Sequence, residues 1–112
     1  MHKIPDDATL RRMTDYVTAS LYLTAGIHDH RIPPIVADQW SKQGFALLST
    51  NDLASRFHTT RRTICHALAR LVAAGVIKEI GRTADKRALY APCLERGDEW
   101  RAAYEERVHG ER

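Results

Sequence analysis

Residues 48–92 read LSTNDLASRFHTTRRTICHALARLVAAGVIKEIGRTADKRALYAP, and this stretch decides the fold. Ser49 or Thr50 is placed to cap a short helix with Leu53, Ala54 and Phe57 on its apolar side. A hydroxyl there accepts from amides that the first turn leaves unpaired. His58 and Thr59 interrupt the pattern. Thr60 is placed to cap a second helix, over 60–74, in which Ile64, Ala67, Leu68 and Leu71 form one stripe at helical spacing. Gly75 follows the last periodic position and suits the left-handed conformation that closes a helix. The period then changes. Val76, Ile77, Lys78, Glu79 and Ile80 predict a strand, and Arg87, Ala88, Leu89, Tyr90 and Ala91 predict its partner. Between them Gly81, Arg82, Thr83, Ala84, Asp85 and Lys86 form a polar, turn-prone link.

A short helix, a tight turn, a longer helix and a basic hairpin make up a winged helix-turn-helix. The stretch resembles winged-helix bacterial transcription regulators of the MarR-type and GntR-type families. The resemblance rests on Leu53 and Ala54, on Thr60, Arg61, Arg62, Thr63 and Ile64, on Leu68 and Leu71, and on Gly75, Val76 and Ile77. It covers 48–92 and does not select one of the two families. The fold expected is therefore mainly α with a small β-hairpin wing, a winged helix-turn-helix with additional N- and C-terminal helices.

A mechanism follows from the face left free. With Ile64, Leu68 and Leu71 inward, Arg61, Arg62, Cys65, His66, Ala69 and Arg70 fall at the front or outside of the helix. A helix fits the major groove of B-DNA, and its N-terminal side chains reach base edges. Arg61 and Arg62 are the candidate base readers. Thr50, Thr59 and Thr60, with nearby amides, are candidates for holding phosphates, and Thr63 lies in the same first turn. Arg82, Lys86 and Arg87, on the wing over 81–87, are candidates for the backbone or an adjacent minor groove. The partner expected is double-stranded DNA, and the role a transcriptional regulator, most simply a repressor. Control of plasmid or phage replication, partition or conjugation would use the same residues. A winged helix that binds protein is a further alternative, because fold alone does not fix function.

Charge is sorted along the chain. The net charge of +3 comes from a neutral segment 1–44, a segment 45–92 with eight basic and three acidic residues, and an acidic tail 93–112. Positive charge thus gathers where phosphates would lie. With 112 residues and 44% apolar content, one folded domain is expected. Apolar runs are too short to span a bilayer, and the N-terminus lacks a basic-then-apolar leader, so a cytoplasmic chain with no membrane partner is expected. Cys65 and Cys93 form no CxxC pair and are read as free thiols. Cys65 beside His66 is a packing or contact residue, with a redox role as the lesser reading. No phosphate loop, HExxH or nucleophile motif occurs, so neither an enzyme nor a cofactor is expected.

The flanks divide the chain into 1–32, 33–92 and 93–112. Asp6 or Asp7 is placed to cap a helix running toward Ala25, with Leu10, Met13, Val17, Leu21 and Thr24 on one face and Gly26 at its stop. Residues 27–33 read as a connector whose His28, Asp29 and His30 are solvated; two histidines around an aspartate lack further metal ligands, so no metal is expected. Pro34 suits the first position of another helix, ended by Gly44, with Trp40 as core. Residues 45–48 predict a short third strand. Pro92 breaks the last strand, 93–97 turns, and Asp98 is placed to cap a final helix carrying Trp100 and Tyr104. The two terminal helices, each with an apolar face, suggest a homodimer.

Overall fold

The computed structural model describes residues 5–110. Among them the order is α1 (Asp7–Leu23), α2 (Ile27–Gln43), α3 (Thr50–Arg56), α4 (Arg61–Ala73), β1 (Ile77–Arg82), β2 (Ala88–Pro92) and α5 (Glu95–Gly110). This is the expected mainly helical architecture, with a small antiparallel hairpin directly after the second helix of a helix-turn-helix. No helix among the described residues is long and apolar enough to cross a membrane.

The helix ends follow local chemistry. Asp6 caps α1 by accepting from the Thr9 amide at 2.7 Å. Ser49, not Thr50, caps α3, and Thr60 caps α4 by accepting from the Thr63 amide at 3.1 Å. At the far end of α4 the Gly75 amide donates to Val72 and the Val76 amide to Leu71, with Gly75 at φ 71°. That paired closure satisfies carbonyls otherwise left open and needs a left-handed residue, which glycine adopts freely.

One core draws on every element except α5, which Leu94 precedes. Ile64, Ala67, Leu68 and Leu71 of α4 are buried, as their spacing predicts, against Ile32, Val36 and Ala37 of α2, Leu53, Ala54 and Phe57, and Val76 and Ile77. Each fully buried Ile or Leu contributes about 1.5–3 kcal/mol. Trp40 packs half-buried against this core.

The largest departure from expectation is α2. It begins at Ile27 and runs unbroken through Pro33 and Pro34, so the expected connector is helix and the 32/33 boundary falls inside it. Two interior prolines each remove a helical amide, a loss of roughly 3 kcal/mol in an isolated helix. Tertiary contacts override that preference: Ile32, Pro33, Val36 and Ala37 are all buried on one side, and Asp29 is anchored as described below.

The hairpin is offset from its expected limits. Ile77 pairs with Pro92, Lys78 with Ala91 and Glu79 with Tyr90, then the register slips so that Gly81 faces Leu89 and Arg82 faces Ala88. The extra residue, Ile80, is an exposed bulge. Arg87 lies in the turn and not in the strand. Pro92 closes β2, and pairing continues through the Cys93 amide to the Val76 carbonyl. The expected third strand reduces to one bridge, Ala46 with Tyr90, because residues on either side of Ala46 bond elsewhere: Gln39 Oε1 accepts from the Leu47 amide.

Helices α1 and α5 pack on each other behind the domain. They meet where Gly97 crosses Tyr16 so closely that a β-carbon on Gly97 would sit 2.4 Å from the Tyr16 amide nitrogen. Arg12 grips Asp98 and Arg101 grips Asp15 across the seam. Asp98 is thus inside α5, which starts earlier at Glu95, over buried Leu94. The crossing also turns α1. Tyr16, Ala19 and Ser20 are buried while Leu10 and Leu21 stay 43% and 47% exposed, so the buried face lies beside the one predicted.

The Tyr16 hydroxyl donates to the Val76 carbonyl at 2.7 Å, deep in the core. Burial pushes this phenol well above its ordinary value, with the neighbouring Cys93 and Glu95 adding to the rise. A raised folded value means that the contribution is intact below the unfolded phenol value of about 10 and is lost as pH climbs beyond it toward the folded value. Tyr16→Phe removes one of the two hydrogen bonds to the Val76 carbonyl, which keeps the Cys93 amide, and is expected to cost about 0.5–1.5 kcal/mol. In thermal melts it also flattens the fall in stability above about pH 10; an unchanged alkaline limb would contradict this role.

Candidate nucleic-acid interface

The site begins at the turn between α3 and α4. Residues 57–60 make it, with the Thr59 amide donating to the Ala54 carbonyl at 2.9 Å and His58 at φ 54°. Phe57 plugs into the core. Its ring carries His28 stacked at 5.8 Å and the Arg31 guanidinium 3.8 Å from its centroid. Both partners come from α2, so the turn is clamped from the segment expected to be a solvated connector. The Nδ1 atom of His28 is buried without a hydrogen-bond partner among the described residues.

Asp29 is 2% exposed, and both its oxygens accept from Arg70, at 3.0 and 2.7 Å. His30 Nε2 contacts the Thr24 carbonyl at 2.7 Å. The His-Asp-His triplet therefore diverges on a helix, its members engaged separately, in place of the solvated loop expected. Among the described residues no group of three or more His, Cys, Asp or Glu side chains is arranged to hold a metal. Arg70 was a candidate for contacting DNA. Its guanidinium is turned to α2 and committed to a buried carboxylate, and the hydrogen bond to Asp29 raises its affinity for its proton.

The remaining candidates separate into two surfaces. Successive residues of a helix point about 100° apart, so Arg61 and Arg62 cannot share a face. Arg62 and His66 lie opposite the buried stripe, both exposed and without a hydrogen bond or ion pair among the described residues. Cys65 is exposed as a free thiol between that face and the wing. Arg61 leans toward the wing, and its Nε donates to Thr50 Oγ1 at 3.2 Å. There it lines a groove of about 460 Å³ with Ser49, Thr50, Asn51, Lys86, Arg87 and Tyr90. Thr60 and Thr63 bond each other, at 2.9 Å between hydroxyls, and so belong to the cap. Thr59 is half-buried in the turn.

The wing tip is held by its own bonds. The Thr83 amide donates to Arg87, the Lys86 amide to Thr83, and the Arg87 amide to Thr83 Oγ1. The Thr83 hydroxyl also bonds Asp85. Arg82 bridges Glu79 at 2.9 Å and donates to the Lys86 carbonyl, so it braces the turn. Lys86 and Arg87 project from this frame with side chains unpaired among the described residues.

Ser49, Asn51 and Tyr90 were not singled out in the sequence, although they line the groove. Their sequence patterns are those of a helix cap at Ser49 and of a strand at Tyr90. Burial, with Glu79 nearby, raises the Tyr90 phenol above its ordinary value. No protein-family model matches the chain, and no match is found among curated proteins.

Arg70→Ala strands the Asp29 carboxylate and is expected to lower the melting temperature by several degrees. Removing both members costs less than removing Arg70 alone, because no buried charge is left unpaired. Thr60→Ala removes the cap of α4 and is expected to cost about 0.5–2 kcal/mol, while Arg62→Ala leaves the melting temperature unchanged. Equal melts for all four variants would remove the distinction drawn here between framework and surface cations.

Proposed function

We propose that this chain is a sequence-specific double-stranded DNA-binding regulator, most simply a repressor acting in the cytoplasm as a homodimer. The observation that carries the reading is the solvent face of α4. It presents Arg62 and His66 unobstructed, flanked on one side by Arg61, Lys86 and Arg87 on a groove with no lining carboxylate. Neither terminal helix contributes to that groove, and α1 and α5 pack behind the domain. A free helix face of this width suits the major groove, and the adjacent hairpin suits the flanking backbone. The likeness to MarR-type and GntR-type regulators agrees with this reading.

The homodimer is supported by apolar side chains that the monomer leaves uncovered along α1 and the start of α2: Leu10, Leu21, Tyr22, Leu23 and Ile27. A dimer would carry two α4 helices and read two half-sites.

Electrophoretic mobility shifts on selected genomic fragments test the proposal. The association constant is expected to fall steeply with salt, log K dropping by about 0.9 per neutralised phosphate for each unit of log salt. Arg62→Ala is expected to lose about 1–3 kcal/mol of discrimination at one base pair. A bound site with inverted half-sites about one helical turn apart reports the dimer. Absent or salt-insensitive binding would favour a protein partner for the same face.

A further inference from the structure

We infer that the groove between α4 and the wing is a seat for a single backbone phosphate, and that Arg61 holds phosphate and reads no base. The inference rests on the DNA-binding reading and divides its cations by task. The lining contains three cations, Arg61, Lys86 and Arg87, and the hydroxyl or amide side chains of Ser49, Thr50, Asn51 and Tyr90, but no carboxylate. Of the nearby acids, Glu79 pairs with Arg82, Asp85 bonds the Thr83 hydroxyl, and Asp52, next to Asn51, is not part of the lining. Three like charges around one cleft repel each other, and an anion between them relieves that repulsion.

The geometry of Arg61 favours phosphate over a base edge. Its Nε donates to Thr50 Oγ1, which holds the guanidinium at the groove that Arg61, unlike Arg62 and His66, lines. The two terminal nitrogens have no partner among the described residues, and a guanidinium fork matches two phosphate oxygens. Lys86 faces the same groove from a left-handed backbone conformation, φ 67°, which side chains other than glycine rarely adopt. The Thr83 and Arg82 bonds hold it there. The cleft falls within the volume range of small-ligand sites, and its lining is polar apart from Leu48, Leu68 and Ala88. A base contact specifies sequence, whereas a phosphate contact only positions the protein. Arg61 and Arg62, adjacent in the chain, therefore have opposite signatures.

Anisotropy titrations on two unrelated duplexes across a salt series separate them, using wild type, Arg61→Ala, Arg62→Ala and the Lys86→Ala/Arg87→Ala pair. Arg61→Ala is expected to weaken both duplexes by the same factor and to reduce the salt slope by about 0.9. The wing pair behaves likewise, with a reduction of about the same size because its cations share that one phosphate, and Arg62→Ala narrows the affinity ratio between duplexes. If Arg61→Ala changes that ratio while the salt slope stays put, Arg61 reads a base and the inference fails. Where the wild type binds no duplex, an NMR titration with inorganic phosphate decides. Shifts at the Ser49, Thr50 and Asn51 amides that vanish in Arg61→Ala uphold the anion seat while the DNA reading falls; unmoved signals overturn the seat as well.

Discussion

A carboxylate that has lost its water must find a partner, and in this fold Asp29 finds Arg70. The two lie on different helices and meet through both oxygens. Such a pair adds little net stability beside a well-packed apolar substitute, but it is demanding about geometry. It sets where α2 starts relative to α4 and fixes the roll of α4 about its own axis. Gly26 belongs to the same arrangement: a β-carbon there would stand 2.9 Å from the Asp29 carboxylate. With α2 pinned at its first turn and Ile32 and Val36 buried further along, the helix continues across two prolines that would break it in isolation.

The roll of α4 decides what the surface can do. Once Arg70 faces α2 and Ile64, Leu68 and Leu71 face the core, Arg62 and His66 have only solvent ahead of them. Arg61 is left on the wing side. The clamp of His28 and Arg31 on Phe57 holds the turn that launches α4, so one helix, α2, controls both the entry and the rotation of the exposed helix. Behind it, the α1–α5 seam closes on Gly97 and sends Tyr16 through to Val76 at the root of the hairpin. The rigid parts of the molecule thus converge on the placement of one face and one wing.

Patterns with a short physical range were legible in the sequence. The buried stripe of α4, its Thr60 cap and its glycine closure each depend on neighbours within one or two turns, and all three occur where the spacing puts them. The hairpin was legible in kind but not in register, since alternation of side chains along the strand does not show where one strand carries the extra residue, here Ile80. The α2 segment was illegible for a related reason. Two prolines and a His-Asp-His triplet are strong local signals for a break, and they were overridden by contacts with residues some forty positions away. The same limit applies to Arg70, whose position on α4 looks accessible until its partner is known. Ser49 and Asn51 became groove residues only because the wing folds over them.

Charge counting has a similar limit. The excess of cations in 45–92 marks the segment that forms the exposed helix face and the wing, yet a sum treats every cation as equally available. In the folded chain Arg70 is consumed by Asp29 and Arg82 by Glu79 and the Lys86 carbonyl. Each forms a near-neutral pair with its carboxylate, so beyond the pair its field is largely cancelled. At close range a guanidinium already saturated by a carboxylate has no fork left to offer. Of the other cations, Arg62 lies on the open face of α4, and Arg61, Lys86 and Arg87 line the groove beside it. In the proposed function that separation, more than the net charge, would let a single small domain hold a strand by its phosphates and still leave a helix face to sample its bases.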